Sequence, residues 1–239
     1  MSITAHQLYD VCEGTWPPAR TWDEGPWTLR DGAGGGKRVS AATALGDVTD
    51  GDIPRAEAAM RDMGQQPLFM IRDGDDALDA LLEARGYDLI DEVVLYSVPI
   101  DQLTDKPLPR VTCFNIWEPL AIMKEIWAQG GIGPARLDVM ERAQTKTGIL
   151  ARWNEKPGGA GFVGIHEGIA MVHALEVLPD QRKQGVAEWM MRAASLWGAK
   201  HGATHMAVLC VTANKPANAL YTKLGFARVG MYHYRILPE

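Results

Sequence analysis

Residues 175–187 constrain the fold of this chain most, because an apolar strand there runs through a short basic loop directly into a helix. The loop spans residues 182–185 and includes a glycine. From Val186 to Trp197 the apolar residues recur at the spacing of a helix with one buried face, and residues 200–202 form a stop signal. A strand that opens so tightly into an amphipathic helix belongs to an α/β chain.

The start of this helix has the properties of an anion site. The first turn of a helix carries backbone NH groups without a partner in the helix, and the positive end of the helix dipole adds to their attraction for anions. Gly185 lets a ligand approach the backbone closely, and Ala187 keeps the first turn thin. Arg182 and Lys183 offer charge to phosphate oxygens. The loop therefore fits a diphosphate, with an ordinary strand-to-helix connection as the alternative.

A second motif follows downstream. After a short apolar run, His205–Val211, the sequence matches the pattern Asn-x-x-Ala-x-x-x-Tyr-x-x-x-Gly-Phe at Asn214, Ala217, Tyr221, Gly225 and Phe226. With the loop sequence Arg-Lys-Gln-Gly-Val-Ala, this chain resembles the GNAT superfamily of acyl-CoA-dependent N-acetyltransferases. The resemblance covers residues 110–239 and is strongest from Leu175 onward.

The resemblance implies a role for each matched position. The backbone of Leu175 and Val177 is the strand edge that holds the pantetheine arm of the cofactor, and Asn214 hydrogen-bonds that arm. Tyr221 is the general acid that protonates the departing CoA thiolate, with a packed helix aromatic as the alternative. The residues that bind the pyrophosphate are Arg182, Lys183, Gln184, Gly185, Val186 and Ala187.

Direct acyl transfer requires a neutral amine, and hence a general base. Glu176 is the first candidate because an acid within an apolar strand is costly to bury unpaired. The alternative for Glu176 is a solvated strand face without a catalytic role. An ordered water is the alternative base. His173 is the second candidate, or else a core histidine. In a regular strand the odd spacing places His173 and Glu176 on opposite faces.

The remaining C-terminal elements follow from periodicity and turn signals. We expect helices opening at Pro119 and covering 135–143, and strands at 147–153, 161–167 and 169–178. The turn between the first two strands is expected at 157–159. Residues 130–134, rich in glycine, are expected to form a mobile lid over the acceptor site.

The sequence predicts that the N-terminal half contains a degenerate copy of the same unit, with chance similarity between two αβ units as the alternative. Residues 68–99 align without a gap on residues 207–238, and both segments predict a strand, a helix, a Gly-aromatic pair and a strand. The position of Tyr221 holds Leu82, and that of Asn214 holds Asp75.

The first copy also lacks the basic loop. A strand expected at 38–45 leads to a helix near 54–63 through a loop that carries Asp47, Asp50 and Asp52, which would repel a diphosphate. We therefore predict two GNAT-like domains, 1–105 without a cofactor loop and 106–239 catalytic. Each is expected to be an α/β (α+β) domain with a mixed, mostly antiparallel twisted sheet flanked by helices.

Composition limits the partners. The net charge of −6 argues against general nucleic-acid binding. Three scattered cysteines without metal spacing, no signal peptide and no long apolar run predict a cytoplasmic protein without a metal site or a membrane span. A homodimer is the base-rate expectation for its assembly.

Two functions remain open at this point. The first is an N-acetyltransferase that moves an acetyl group from acetyl-CoA to a primary amine of a small molecule or peptide by direct transfer. The second is a non-catalytic acyl-CoA sensor or interaction protein, which would need the phosphate-binding loop but no proton donor. The presence of Tyr221 favours the enzyme. The acceptor is not identified by the sequence.

Overall fold

The computed structural model describes residues 3–238 and divides into two compact units. Unit 1 comprises residues 3–17, 95–210 and 214–229, and unit 2 comprises residues 18–94, 211–213 and 230–238. Each unit therefore contains residues from both the N-terminal and the C-terminal half of the chain. The predicted domain boundary at residue 105 separates the two copies seen in the sequence. It stays a prediction, because the division into compact units does not test it.

Unit 1 is a sheet flanked by helices. Its helices are α1 (Ala5–Thr15), α4 (Ala121–Gln129), α5 (Pro134–Arg142), α6 (Val186–Lys200) and α7 (Lys215–Lys223). Its strands are β6 (Cys113–Ile116), β7 (Thr145–Trp153), β8 (Lys156–His166), β9 (Ile169–Val177) and β10 (His205–Val211), with the end of β5 (Asp88–Pro99) and the start of β11 (Ala227–Ile236).

The strands of unit 1 lie in the order β5-β10-β9-β8-β7-β6. The pairs from β6 to β9 are antiparallel, and β9 pairs with β10 in parallel. Helix α6 buries Met190, Met191 and Trp197 against this sheet, as its apolar spacing predicts. The predicted class, a mixed and mostly antiparallel sheet flanked by helices, is confirmed.

Unit 2 is a smaller α/β unit. Its elements are β1 (Arg20–Glu24), β2 (Trp27–Asp31), β3 (Thr43–Ala44), α2 (Ile53–Asp62), β4 (Leu68–Arg72), α3 (Asp76–Ala84), the first part of β5 and the last part of β11. Strands β1, β2 and β3 form an antiparallel sheet, and β4 pairs antiparallel with β11. Trp27, Phe69 and Leu82 are fully buried in its core.

The two aligned segments have matching element bounds. Helix α3 begins at Asp76 where the alignment places Lys215, the first residue of α7. Strand β5 begins at Asp88 where it places Ala227, the first residue of β11. Gly86 and Gly225 both adopt a left-handed φ, at 80° and 85°. This agreement supports a repeated unit.

Three local predictions differ from the structure. The turn between β7 and β8 is made by Asn154 and Glu155, both at positive φ, and residues 157–159 belong to β8. The strand expected at 38–45 is reduced to Thr43–Ala44, because a 3₁₀ helix occupies Lys37–Val39. Helix α4 begins at Ala121 rather than at Pro119.

Candidate functional site

A bulge in β9 sets the geometry of the candidate site. Strand β8 pairs Ala160 with Glu176 but Phe162 with His173, so that two residues of β9 face one residue of β8. Ala174 lies in this bulge at a φ of 49°. The Trp127 indole of α4 donates a hydrogen bond of 2.9 Å to the Ala174 carbonyl. The bulge is thereby fixed by a buried side chain from a neighbouring helix.

The bulge reverses the side-chain alternation of β9. Before it, Val172 packs in the core beneath α6, and after it Leu175 and Val177 do so. His173 lies on the other face, and Glu176 lies there too, against Gly130 at the end of α4. The expectation that His173 and Glu176 occupy opposite faces is therefore wrong, since it assumed a regular strand.

The edge of β9 opens next to the bulge. Its pairing with β10 runs from Ile169 to Val172, and no further pairing between them is described. The backbone of Leu175 and Val177 therefore lies beyond the last residue of β9 that pairs with β10. The Val177 carbonyl accepts a hydrogen bond of 3.0 Å from Arg182 Nε.

The loop after β9 leaves the start of α6 open. Gly185 is the N-cap residue at a φ of 84°, and as a glycine it has no side chain that could cap the helix. The Trp189 NH bonds the Gly185 carbonyl at 3.1 Å and so makes the first hydrogen bond along the helix. The NH groups of the preceding turn are thus available to an anion. Residues 182–185 are exposed, whereas the Val186 side chain is buried in the core and Ala187 is half-buried.

Two residues that brace the loop escaped sequence analysis. Gln184 Oε1 accepts hydrogen bonds from Trp153 Nε1 at 3.0 Å and from Asn154 Nδ2 at 2.8 Å. Asn154 Nδ2 also approaches Gln181 Oε1 at 3.4 Å. The β7–β8 turn therefore holds the loop in shape. The Asn-Glu pair at the turn was the available signal, but the Pro-Gly-Gly sequence after it looked the stronger turn former.

Glu176 borders a cleft between α4 and the loop. The cleft has a volume of about 160 Å³ and is lined by Ile126, Gln129, Gly130, Glu176, Val177, Leu178, Pro179 and Arg182. Burial raises the pKa of the Glu176 carboxyl, and the nearby Arg182 charge partly opposes this. Three predicted residues, Glu176, Val177 and Arg182, thus meet in one cleft.

Tyr221 is a buried residue of α7 and is not among the residues that line this cleft. Its ring lies 5.9 Å from that of Tyr96 and 5.7 Å from that of Phe226. Burial, with the nearby Cys210 thiol, raises the pKa of the Tyr221 hydroxyl far above its usual range. The hydroxyl therefore stays protonated at neutral pH.

Asn214 is the exposed N-cap of α7. Its side-chain oxygen accepts a hydrogen bond of 3.2 Å from the Ala217 NH. The oxygen is therefore engaged by the helix itself. Only the amide NH₂ group remains as a donor for a cofactor, which narrows the role that the resemblance implies.

His173 is a buried residue on the Glu176 face. Its Nε2 lies 2.8 Å from the Thr15 hydroxyl, which in turn donates to the Val11 carbonyl at 2.7 Å. Because that hydroxyl has already given its proton, it accepts from His173, and Nε2 carries a hydrogen. The Trp16 ring packs beside it at 5.1 Å. This environment favours the structural alternative for His173.

The described residues contain neither a candidate metal site nor a candidate membrane-spanning helix. Among residues 3–238, no group of three His, Cys, Asp or Glu side chains is arranged to hold a metal ion. No helix in the same part of the chain is both long and apolar enough to cross a membrane.

Comparison with known proteins gives concordant results. Residues 117–226 match the model of the acetyltransferase (GNAT) family. The uncharacterized N-acetyltransferase YobR of Bacillus subtilis (strain 168) is 25% identical over 236 residues, which cover 95% of this chain and 96% of YobR.

Solved structures share the fold over the whole chain. A GCN5-related N-acetyltransferase from Kribbella flavida covers 100% of this chain and 97% of its own, with a TM-score of 0.75 and 16% identity. A tandem GNAT protein from the clavulanic acid biosynthesis pathway covers 98% of this chain and 89% of its own, with a TM-score of 0.62 and 13% identity. Residues 117–226 therefore resemble the GNAT acetyltransferases in sequence, and the structural likeness shows the fold of such proteins over the whole chain.

Proposed function

We propose that this protein transfers an acetyl group from acetyl-CoA to a primary amine. The open start of α6 carries the proposal, since it combines free NH groups with an exposed basic loop. The diphosphate of CoA fits this charge and geometry. The degenerate copy in the first half is proposed to act as a structural partner, because its loop is acidic and Leu82 replaces the tyrosine.

Each predicted cofactor contact has a matching group. The backbone of Leu175 and Val177, which lies beyond the pairing of β9 with β10, suits the amide-rich pantetheine arm. The loop residues Arg182, Lys183 and Gln184 and the NH groups of Gly185, Val186 and Ala187 would hold the diphosphate. Arg182 would first release the Val177 carbonyl, since its Nε now occupies that acceptor. The Asn214 amide NH₂ would donate to the arm.

The chemistry proposed is direct transfer. The amine nitrogen forms a bond to the acetyl carbon, and the bond from that carbon to the CoA sulfur breaks. Glu176, directly or through one water, takes the proton that the nitrogen loses, and its raised pKa makes it a stronger base than an exposed carboxylate. Tyr221 donates to the departing sulfur as the general acid. A small-molecule or peptide amine is the acceptor class.

Calorimetric titration with acetyl-CoA tests the cofactor site. We expect one site per chain and roughly 10- to 100-fold weaker binding in Lys183→Glu, because a loop cation next to the diphosphate becomes an anion. Lys200→Glu is the matched control, since it makes the same charge change on exposed chain at the other end of α6.

Three results would count against this proposal. Absence of heat with the wild-type protein would remove the acetyl-CoA site, and equal weakening in both variants would remove its location. Tight binding without acetylation of any amine in a broad screen would favour the sensor instead.

A further inference from the structure

Two consecutive glycines end α4, and the backbone explains only one of them. Gly131 adopts a φ of 78°, and the NH groups of Gly131 and Ile132 close the helix on the carbonyls of Ala128 and Trp127. Gly130 has a φ of −83° and a ψ of 6°, which any residue adopts. A different reason is needed for the glycine at position 130.

That reason is the carboxyl group of Glu176. A Cβ atom on Gly130 would lie 2.5 Å from Glu176 Cδ and 2.8 Å from Glu176 Oε1, far inside van der Waals contact. Glu176 therefore rests directly on the last turn of α4. Any side chain at position 130 would displace it.

The same turn of α4 controls which face Glu176 occupies. Trp127 is fully buried, and its indole holds the Ala174 carbonyl in the bulge. The bulge turns Glu176 toward α4 and the cleft, where a regular strand would turn it away. Trp127 and Gly130 thus act on one side chain, three residues apart on the helix.

We infer that Gly130 and Trp127 are positioning residues for Glu176, one leaving the space for its carboxyl group and the other fixing the bulge that presents it to the cleft. The inference rests on the proposed function for the role of the carboxylate as base, but its geometry is independent of the cofactor. Residues 130–134, which are expected to form a lid, begin with this contact.

The surroundings explain why the position matters. Arg182 from the loop is the charged group that faces Glu176, while Ile126 and Gln129 from α4 and Ala160 from β8 are uncharged. The carbonyl end of α4 carries a partial negative charge, which disfavours an ionised carboxylate beside it. Burial acts in the same direction on the pKa of Glu176.

Gly130→Ala is the decisive variant, because alanine suits this backbone and the flexible glutamate yields to the new methyl group. Gly133→Ala is the matched control, since a Cβ on Gly133 meets nothing within 4 Å. The readout is a ¹³C NMR titration of the Glu176 carboxyl in the protein without ligand, assigned with Glu176→Gln. We expect the pKa of Glu176 to fall toward its ordinary value in Gly130→Ala and to stay raised in Gly133→Ala, with thermal unfolding unchanged in both.

A second variant and a kinetic cycle complete the test. Trp127→Phe removes the indole donor and should also lower the pKa of Glu176, at some cost in thermal stability. Where acetylation is measurable, Gly130→Ala should reduce kcat/KM by roughly 10- to 100-fold without changing acetyl-CoA affinity. In the Glu176→Gln background, Gly130→Ala should not reduce kcat/KM further. A general structural defect would instead reduce kcat/KM in both backgrounds.

An unchanged Glu176 titration in Gly130→Ala would overturn the inference, whatever the protein catalyses. So would equal losses of kcat/KM from Gly130→Ala in the wild-type and Glu176→Gln backgrounds. Failure of the proposed function is a separate result, namely no acetyl-CoA binding to the wild-type protein by calorimetry, and it leaves the titration readable.

Discussion

The two loops that lead into α2 and α6 differ in charge and in how their own polar groups are paired. In unit 2, the Asp52 carboxylate accepts hydrogen bonds from the Thr49 NH, at 2.9 Å, and from the Thr49 hydroxyl. Asp50 is paired with Arg85 at 2.6 Å. Neither α2, which follows Asp52, nor α6, which follows Gly185, has a side-chain cap, and residues 182–185 of unit 1 include Arg182 and Lys183 but no carboxylate.

The difference shows that a loop leading into a helix can serve either local order or the binding of an anion. The loop of unit 2 satisfies its own polar groups and carries negative charge, so it gains local order and repels phosphates. The loop of unit 1 leaves its NH groups free and surrounds them with cations, so a ligand must complete it. An uncapped helix beside a basic loop is therefore more informative about function than either feature alone.

A second contrast concerns the helices α3 and α7. In unit 2, Asp79 of α3 bonds Arg235 of β11, with Arg235 Nε 2.7 Å from Asp79 Oδ1. In unit 1, the Asn218 side-chain oxygen of α7 accepts a hydrogen bond of 3.0 Å from the Tyr96 hydroxyl of β5. The alignment that pairs residues 68–99 with 207–238 also pairs Asp79 with Asn218 and Tyr96 with Arg235. Each helix thus holds the closing strand of the other segment, by charge in one case and by a neutral bond in the other.

The largest effect is expected from the proton donor that distinguishes the two segments. Tyr221→Phe should lower kcat for amine acetylation by about 100-fold, since it removes the donor to the departing thiolate. Acetyl-CoA affinity by calorimetry should stay within twofold, because the buried ring is kept. Tyr87→Phe in the first segment is the control, since it removes a tyrosine hydroxyl that bonds Glu57 in unit 2, and it should leave kcat unchanged. A Tyr221→Phe enzyme with the wild-type kcat would show that this tyrosine is a packed aromatic.

Much of the fold is predictable because its signals are local. The apolar spacing from Val186 gives α6, and the stop signal gives its end at Lys200. The misplaced β7–β8 turn shows the limit: Pro157 and the glycines after it look like a turn, but Gly159 stays in β8 and packs close to Met190. Which glycine makes a turn and which permits close packing depends on tertiary neighbours.

In the candidate site, too, local features are predictable from the sequence and features set by tertiary contacts are not. The basic loop and the N-cap glycine are visible in the sequence because the chemistry is contained in six consecutive residues. The face of Glu176 was not predictable, since it depends on a bulge held by Trp127, 47 residues before Ala174. The brace by Asn154 was missed for the same reason, because Gln184 lies 30 residues further along the chain.

A smaller effect is expected from the charged contact in unit 2. Asp79→Asn should lower Tm at pH 7 by roughly 3–6 °C, since Arg235 is buried and loses its carboxylate. Arg235 chiefly, and His233 next to it, hold the pKa of Asp79 below its ordinary value.

The pH dependence of that loss gives the sharper test. A lowered carboxyl pKa contributes stability above its unfolded value of about 4, and this contribution disappears as the pH falls through the folded value. The gap in Tm between wild type and Asp79→Asn should therefore narrow below about pH 4. Asn218→Ala, in the neutral counterpart, should give a loss without this narrowing. A gap that is constant down to pH 3 would contradict the assignment of Asp79 as the titrating group.

The smallest effect concerns the loop of unit 2 itself. Asp52→Ala should lower Tm by roughly 2 °C, because the Thr49 NH loses its acceptor in the 3₁₀ turn Asp50–Asp52 that precedes α2. Asp47→Ala removes an exposed carboxylate from the same loop and should leave Tm unchanged. Neither variant should alter the stoichiometry of acetyl-CoA binding by calorimetry. A second equivalent of acetyl-CoA in the wild-type protein, lost on a charge change in this loop, would show that the start of α2 also binds a cofactor. The contrast between the two loops would then concern affinity, not the presence of a site.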